Sequence, residues 1–306
     1  MPGVIKSEWR ERMRASGRLS WRALAGYLAY TVIAFLVFLA WTFPYQRVEK
    51  AIIAEVARRT GSEITTDAGR FVFPAGFVWH GVRVRPKSWE NQTLDLDMIR
   101  ASVVVPSLLR RTLEIDLAWD AYGGKVRGTW VARREAGGTR VSFDQFGQGF
   151  DLGRFPLRST AKWQGTAQIE LADQWTNDAW LAGDGTGSIE VTGLKVDHVE
   201  IGGFPIQGIE FDAVSARAAL KGGTLTIQKL NARGPLGTAL GEGTAMLRTP
   251  WTESVLSFSV TVNPSADAAS RIPLLALANS ASGPITIRVT GRVAKPDVFV
   301  NGVPVL

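Results

Sequence analysis

The stretch TLEIDLAWDAYGGKVRG, Thr112 to Gly128, decides the fold of this chain. Its large apolar residues occupy every second position, with acidic residues interspersed on the other side; they are Leu113, Ile115, Leu117 and Trp119. Successive side chains of an extended chain point to opposite faces of a sheet, so this period of two predicts a strand with one apolar and one polar face. The Gly-Gly pair that follows is typical of a turn, and a second alternating stretch begins at Val126. What covers the apolar side of the strand therefore bears directly on function.

Eleven stretches of this kind follow Gly61, from FVWHGVRV at Phe77 to PDVFV at Pro296, and 32 glycines are spread along the chain. Many short strands separated by glycine turns are typical of all-β architectures. We therefore expect a mainly β protein with a single N-terminal transmembrane helix and one large, curled, mostly antiparallel β-sheet. The sheet is expected to form a groove or a half-open barrel. One or two short helices are expected beside it, one of them between Ser265 and Gly283.

A membrane span is predicted over residues 23–43. The run from Ala23 to Phe43 has no charged residue, and a helix of this length spans roughly 30 Å, the thickness of a bilayer core. A cleaved signal peptide is the alternative. The run is longer than a typical signal core, however, and no small-residue cleavage site closes it before Pro44. An uncleaved anchor is thus the favoured hypothesis.

The flanking charges predict the orientation of this span. Segment 1–22 is strongly basic, and basic flanks stay cytoplasmic, so the bulk of the chain is expected on the far side of the membrane. In a bacterium with two membranes, this places a single-pass protein in the inner membrane with its bulk in the periplasm. Six of the basic residues and two of the acidic ones lie in 1–22, so the net charge of +7 falls to about +3 for the rest. No nucleic-acid partner is expected.

A short amphipathic helix is predicted after the span. The sequence PYQRVEKAIIAEVARRTG begins with Pro44, ends with Gly61 and places Val48, Ile52 and Val56 on one stripe. Such a helix either lies on the lipid surface or caps the open end of a sheet. The predicted organisation is a cytoplasmic basic segment at 1–22, a transmembrane helix at 23–43, a juxtamembrane helix at 44–61 and a periplasmic β-domain at 62–306.

Residues that carry out chemistry are sparse. The chain has no cysteine, and its two histidines, His80 and His198, have no neighbouring histidine or clustered carboxylate in the sequence. The paired acids Asp95 and Asp97 alternate with apolar residues, which is typical of the polar side of a strand. No nucleophile, phosphate-loop or zinc-protease motif is present. We therefore expect no enzyme activity, no metal site and no cofactor; the tryptophan-rich segment 163–180 is open between core packing and a ligand platform.

Four segments resemble the bitopic type II secretion system protein N family. They are FPYQRVEKAI from Phe43, EITTDAGRFVFPAGFVWHGVRVRP from Glu63, the strand series that begins GSIEVTGLKV at Gly187, and GPITIRVTGRVAKPDVFVNG from Gly283. The resemblance covers about two thirds of the chain and consists of hydrophobic pattern with glycine and proline punctuation. That family is in turn similar to AsmA-like proteins, whose sheets curl into a groove.

The resemblance implies a role in type II secretion as the favoured function and lipid handling as the alternative. Kinship with the secretion family implies an inner-membrane scaffold or accessory component that contacts other secretion subunits, whereas AsmA-like kinship implies binding or transfer of phospholipid. If a second sheet or a helix covers Leu113, Ile115, Leu117 and Trp119, the domain has a closed core and acts as a scaffold. If the sheet curls without closing, these four residues line a groove that takes acyl chains.

Overall fold

The computed structural model divides the chain into two compact units, Met1–Lys50 and Ala51–Leu306; we call the second the β-unit. Structure is described for residues 21–42, 44–86, 93–156, 162–177, 179–197, 199–201, 204–206, 208–249, 251–265, 268 and 283–304. The helix predicted between Ser265 and Gly283 falls almost wholly outside these residues, as does His198.

Three α-helices lie in the described part of the chain: α1 (Trp21–Thr42), α2 (Tyr45–Thr60) and α3 (Val105–Leu108). Three single turns of 3-10 helix occupy Leu152–Arg154, Trp180–Ala182 and Trp251–Glu253. α2 follows Pro44 and ends before Gly61, whose φ of +62° lies in the left-handed region that glycine adopts without strain. The boundary between the two units falls inside α2, after Lys50.

The predicted membrane span coincides in position with α1. Among the described residues, no helix combines the length and apolarity needed to cross a membrane, so the transmembrane helix predicted over 23–43 is not found. Residue 43 and the side chains at positions 36, 39 and 40 lie outside the described set.

Strands dominate the described residues. They are β1 (Ser62–Thr65), β2 (Ala68–Val72), β3 (Gly76–Pro86), β4 (Leu94–Val103), β5 (Thr112–Ala121), β6 (Gly124–Glu135), β7 (Gly138–Asp151), β8 (Lys162–Thr176), β9 (Asp184–Asp197), β10 (Val199–Ile201), β11 (Phe204–Ile206), β12 (Ile209–Lys221), β13 (Thr224–Gly234), β14 (Gly237–Met246), β15 (Val255–Pro264), β16 (Ile285–Arg292), β17 (Lys295–Val300) and β18 (Val303–Pro304). The predicted mainly β class is confirmed.

Sixteen of the strands form one antiparallel sheet. Its order is β1-β3-β4-β5-β6-β7-β8-β9-β12-β13-β14-β15-β16-β17-β18, and β2 also pairs with β3. Strands adjacent in the chain are neighbours in the sheet along most of this path, because short turns join antiparallel strands. β10 and β11 form a separate hairpin between β9 and β12. β1 and β18 stand at the two ends of the path without pairing to each other, so the sheet is open.

Three strands of this sheet carry an extra residue that interrupts the regular pairing. The extra residue lies between Gly147 and Phe150 in β7, between Thr192 and Lys195 in β9, and between Ile227 and Leu230 in β13, where it shifts the pairing with both β12 and β14. Shifts of this kind are β-bulges, which bend a strand and increase the local twist.

Candidate functional site: the apolar face of the sheet

One face of the large sheet is apolar along almost its entire path. Residues that pair across antiparallel strands lie on the same face, so the pairing traces rows that run from strand to strand. The row that runs from β3 to β17 contains only apolar residues and glycine: Trp79, Ile99, Trp119, Val126, Gly147, Ile169, Ile189, Ala216, Leu230, Gly241, Val260, Ile287 and Val300. We call it the central row.

A second row runs beside it on the same face. On each strand its member lies two residues from the member of the central row, or three residues in β13 because of the bulge there. Its one polar member is Gln145. It comprises Phe77, Ala101, Leu117, Gly128, Gln145, Leu171, Gly187, Ala218, Ile227, Gly243, Phe258, Val289 and Val298. We call the whole side of the sheet that carries the central and second rows the apolar face.

The opposite face of the same strands is polar. One row on that face consists of Ser102, Asp116, Thr129, Asp144, Ala172, Thr186, Ala219, Thr226, Thr244, Ser257, Thr290 and Asp297. We call this side of the sheet the polar face. The division between the faces follows from the period of two in each strand and from pairing that keeps equal parity across thirteen strands.

Buried residues concentrate on the apolar face. Its core cluster comprises Val126, Phe150, Ala167 and Val191, and Val126 is only 1% exposed. Trp119 packs against this cluster with its ring centroid 5.8 Å from that of Phe150. Burying one such side chain stabilises the fold by about 1.5–3 kcal/mol, so this face supplies most of the hydrophobic stabilisation of the sheet.

Other parts of the apolar face are accessible. Leu171 and Ile189, both in the two rows, are 40% and 39% exposed. In the described residues, the second sheet is the hairpin of β10 and β11, each three residues long, which is too small to cover sixteen strands. Among the residues that the structure describes, the apolar face is therefore neither a closed two-sheet core nor an ordinary solvated surface.

The four residues predicted to line a groove lie on this face in different surroundings. Trp119 belongs to the core described above, and Leu117 borders a cavity described below. Ile115 is half-buried between Val103 of β4 and Trp130 of β6. Leu113 lies beyond the last residue pair of β4 with β5 and is 36% exposed. Whether they contact a ligand stays a prediction.

Glycines on this face make room for the side chains opposite them. A Cβ atom added at Gly147 would lie 2.8 Å from carbon atoms of both Val126 and Phe150. A Cβ atom at Gly243 would lie 2.5 Å from the ring of Phe258. Contacts below 3.0 Å force neighbours to shift, so these glycines are required by packing across the strands.

A cavity of about 430 Å³ lies at the β3 end of the apolar face, inside the β-unit. Ile52, Ile53 and Val56 of α2 form one wall, and Trp79, Ile99 and Leu117 of the sheet form the other. We call it the end cavity. Its polar lining residues are Thr60, Ser62 and Thr66, and none of its lining residues is charged. A volume of this size is within the range of pockets that hold small molecules.

One residue of the end cavity carries a buried donor without an acceptor. The Thr60 hydroxyl donates to the carbonyl of Val56 at 2.8 Å, and the Ser62 hydroxyl donates to the carbonyl of Thr60 at 3.4 Å. Nε1 of Trp79, by contrast, is buried without an acceptor, and the residue is 8% exposed. In the described part of the chain, the other buried side-chain nitrogen or oxygen without a partner is Nε1 of Trp163. An unsatisfied buried donor costs about 1–3 kcal/mol.

Asp173 is an acidic residue on the apolar side, in a third row where it pairs with Phe143 and Gly185. Burial raises the pKa of this carboxyl, the backbone N–H of Gln174 that donates to Oδ1 at 2.8 Å lowers it, and the charge of Asp184 raises it further. Burial is the largest cause. The apolar side of the sheet therefore holds one partly buried carboxylate, and burial disfavours its charged form.

The residues considered for catalysis or metal binding do not converge. His80 is exposed on β3, and Asp95 and Asp97 are exposed on β4. Among the described residues, no group of three or more histidine, cysteine or acidic side chains is placed to hold a metal ion. Two arginines of β3 are paired with acidic side chains, since Arg83 lies 3.0 Å from Asp67 and Arg85 lies 3.6 Å from Glu63.

The basic pair at the end of α2 is also engaged. Arg58 and Arg59 both contact Glu55 at 2.7 Å, and these hydrogen bonds lower the pKa of Glu55 to about 2.

The end cavity was not predicted from the sequence, because it depends on contacts between α2 and β3–β5. The run of isoleucines and valine on one side of α2 was the signal that pointed to it.

Comparison of the chain with protein-family models, with curated proteins and with solved structures gave no match. The geometry of the apolar face and the residues of the family resemblance therefore carry the functional proposal.

Proposed function

We propose that the β-unit binds the acyl chains of lipids along its apolar face. The observation that carries this proposal is the central row, which continues through thirteen strands without a polar side chain and is partly accessible. At about 4.8 Å per strand, its twelve steps extend about 55–60 Å along the sheet. Apolar surface of this extent exposed to water is unfavourable, so an apolar occupant is expected.

Acyl chains fit this face better than a folded protein does. Protein interfaces combine an apolar centre with a hydrogen-bonding rim, at about one hydrogen bond per 100–200 Å². Apart from the indole N–H groups of Trp79 and Trp119, the two rows offer one hydrogen-bonding side chain, Gln145, over thirteen strands. The bulges in β7, β9 and β13 and the burial of the face around Val126 support a concave groove. Enzyme activity is not part of the proposal.

Membrane attachment through the N-terminal segment is a further part of the proposal. Its support is the uncharged run from Ala23 and the exposure of apolar side chains on α1, among them Phe35 and Phe38. Against it stands the absence of a membrane-crossing helix among the described residues. Alkaline carbonate extraction of cells expressing the full chain decides the matter. Retention in the pellet supports an inserted segment, and release of the chain contradicts it.

The test of lipid binding is photo-crosslinking in cells from two neighbouring positions of β9. A photoreactive phenylalanine analogue replaces Ile189 on the apolar face or, as the matched control, Ser188 on the polar face. Lipid adducts at 189 and none at 188, detected by mass spectrometry, are the expected result. Protein adducts alone at 189 would contradict lipid binding.

A second candidate function is the scaffold or accessory role in type II secretion, which rests on the family resemblance. The observation that favours it is the end of the sheet at β17, where β18 pairs only with Phe299 and Val300. An edge strand with unpaired backbone groups can add a strand from another protein. Co-purification of inner-membrane secretion subunits, lost when Val298→Pro removes a backbone N–H from this edge strand, would support it.

A further inference from the structure

We infer that one edge of the large sheet docks on the surface of a bilayer that contains anionic lipids. The edge comprises residues 73–75, 104–111 and 133–140, and we call it the basic edge. Its exposed apolar side chains enter the bilayer interface, and its arginines bind lipid phosphates. This inference goes beyond the proposed function, because it concerns contact with a membrane surface and not the ligand that the apolar face holds.

The three segments of the basic edge lie side by side. The backbone N–H of Val103 donates to the carbonyl of Ala75 at 2.8 Å, so the connection from β2 to β3 adjoins the connection from β4 to β5. Thr112 at the start of β5 pairs with Arg133 near the end of β6, so the turn from β6 to β7 adjoins the same connection on its other side. Segments that are distant in the sequence thus meet at one edge of the sheet.

Large apolar side chains project from the first two of these segments. Leu109 is 90% exposed, Phe73 is 70% exposed, and Leu108 is also exposed. The fold fixes this exposure, because buried Ser107 ties the connection that carries the leucines to β5. Its hydroxyl accepts the backbone N–H of Glu114 at 3.3 Å. Adjacent exposed apolar side chains of this kind mark a surface for a partner or a membrane.

The charges of the basic edge are predominantly positive. Beside one acidic residue, Glu135, it carries five arginines: Arg110, Arg111, Arg133, Arg134 and Arg140. Arg133 and Arg140 pair directly across β6 and β7, and like charges in such a pair repel each other. In the part of the chain that the structure describes, none of the five forms a salt bridge. Their charge is therefore available to an anionic partner.

The opposite ends of the same strands carry charges of both signs. The charged residues there include Asp95, Asp120, Lys125 and Asp151. Asp120 and Lys125 occupy paired positions of β5 and β6. In the described part of β3–β7, positive charge thus collects at the edge that also exposes the two leucines.

An anionic bilayer complements both features of the basic edge. Guanidinium groups bind phosphate through paired hydrogen bonds, and each basic residue near an anionic membrane strengthens binding about five-fold. Leucine and phenylalanine side chains beside them enter the boundary between head groups and acyl chains. A nucleic acid would pair with the arginines but would leave Leu108 and Leu109 in water, whereas a bilayer takes up both kinds of side chain.

The experiment uses the full chain reconstituted in phosphatidylcholine vesicles with or without phosphatidylglycerol. The chain contains no cysteine, so one introduced cysteine carries an environment-sensitive fluorophore at a chosen position. Leu109→Cys places it at the basic edge, and Val303→Cys, at an exposed residue on the opposite edge of the sheet, is the matched control. Lipids with spin-labelled acyl chains quench a fluorophore that enters the bilayer. The N-terminal segment is the same in all of these proteins, so differences between them report on the labelled edge.

In vesicles with phosphatidylglycerol, we expect quenching at position 109 and none at the control position. Arg110→Gln combined with Arg111→Gln should lower the ratio of bilayer-bound to free fluorophore at 109 by about ten- to thirty-fold, since two charges near the surface are lost. Lys125→Gln combined with Arg154→Gln removes two charges from the opposite edge and should leave this ratio unchanged. Added salt should weaken the quenching at 109 by screening the arginines.

Three results at position 109 would overturn the inference: no quenching in anionic vesicles, equal quenching without phosphatidylglycerol, or quenching unchanged by the arginine substitutions. Protein adducts alone from a photoreactive phenylalanine analogue at 109 in cells would also overturn it, because they would assign the edge to an acidic protein. Crosslinking from Ile189 reports separately on the proposed function. Lipid adducts at 189 without docking at 109 would overturn the docking alone, and docking at 109 without lipid adducts at 189 would support the docking and contradict the proposed function.

Discussion

The two faces of the large sheet are built by the same strands from alternate residues, yet they differ in almost every property. On β5, Leu117 borders an apolar cavity, whereas the next residue, Ala118, lies between Arg100 and Arg127 of the neighbouring strands. On β9, Ile189 lies in the central row and Ser188 is within 3.4 Å of Glu170. This difference indicates that one face alone provides both the stability of the sheet and the proposed binding surface.

An open sheet whose apolar face has both roles differs in this respect from a two-sheet sandwich. A two-sheet sandwich buries its apolar faces against each other and uses its loops for binding. Here a hydrophobic face holds the sheet together around Val126 and remains accessible at Leu171 and Ile189. Substitutions on the apolar face should therefore change stability and lipid binding together, and substitutions on the polar face should change neither.

The largest contrast is expected between Leu117→Asp and Ala118→Asp. Leu117→Asp removes apolar contacts and places a charge at the end cavity, so the free energy of unfolding should fall by about 2–4 kcal/mol and lipid labelling should disappear. Ala118→Asp places the same charge between two arginines and should stay within about 0.5 kcal/mol. Urea unfolding followed by circular dichroism measures both. Equal losses in the two variants would show that the faces do not differ as described.

A smaller contrast is expected from exchanging valine and threonine, which have nearly the same shape. Val126→Thr buries a hydroxyl in the core cluster without a partner, and the free energy of unfolding should fall by about 1–3 kcal/mol. Thr129→Val on the polar face of the same strand is the matched control and should be neutral within about 0.5 kcal/mol. A neutral Val126→Thr would mean that water reaches the core, which contradicts its 1% exposure.

Glycine substitutions test the packing of side chains on the apolar face. Gly147→Ala forces Val126, Phe150 and Ile169 to shift, and the packing cost exceeds the gain from a less flexible unfolded chain. The expected net loss is about 1–2 kcal/mol in the free energy of unfolding. Gly137→Ala is the control, because a Cβ atom there meets nothing within 4 Å. The measurement is thermal unfolding of the two variants. Equal midpoints would contradict the packing argument.

Much of the fold follows from the sequence, because the period of two is a property of each strand by itself. The alternation in Thr112–Ala121 predicts β5 and its two faces, and the glycine pair predicts the turn to β6. The expectation of one large antiparallel sheet that does not close is also confirmed, but the sequence left open whether a second layer covers its apolar side. The hairpin of β10 and β11 was also missed, because strands of three residues give too short a pattern.

The candidate site was predicted as a set of equivalent residues, and the structure separates them. Alternation cannot distinguish Leu113, Leu117 and Trp119, since all three have the same parity. Their surroundings depend on register with β4 and β6, on the ring of Phe150 and on the position of α2. These contacts join residues that are distant in sequence. Pattern within one strand carries no information about them.

The smallest expected effects come from two carboxylates with opposite shifts in pKa. Burial raises the pKa of Asp173 on the apolar side, so the folded state binds its proton more tightly than the unfolded state does. Stability should therefore fall as pH rises through the interval between the unfolded and folded pKa values. Asp173→Asn removes this titration, and its free energy of unfolding relative to the unmodified protein should increase with pH across that interval.

Glu55 should behave in the opposite way. Hydrogen bonds from Arg58 and Arg59 lower its pKa to about 2, so its contribution is present at neutral pH and is lost as pH falls through that value. Carbon-detected NMR titration of labelled carboxyl groups measures both residues in one sample. A lowered pKa at Asp173 would contradict its placement on the apolar side, because an exposed carboxylate beside a backbone N–H donor has no burial to offset that donor. The direction of this one titration thus tests which face of β8 is apolar.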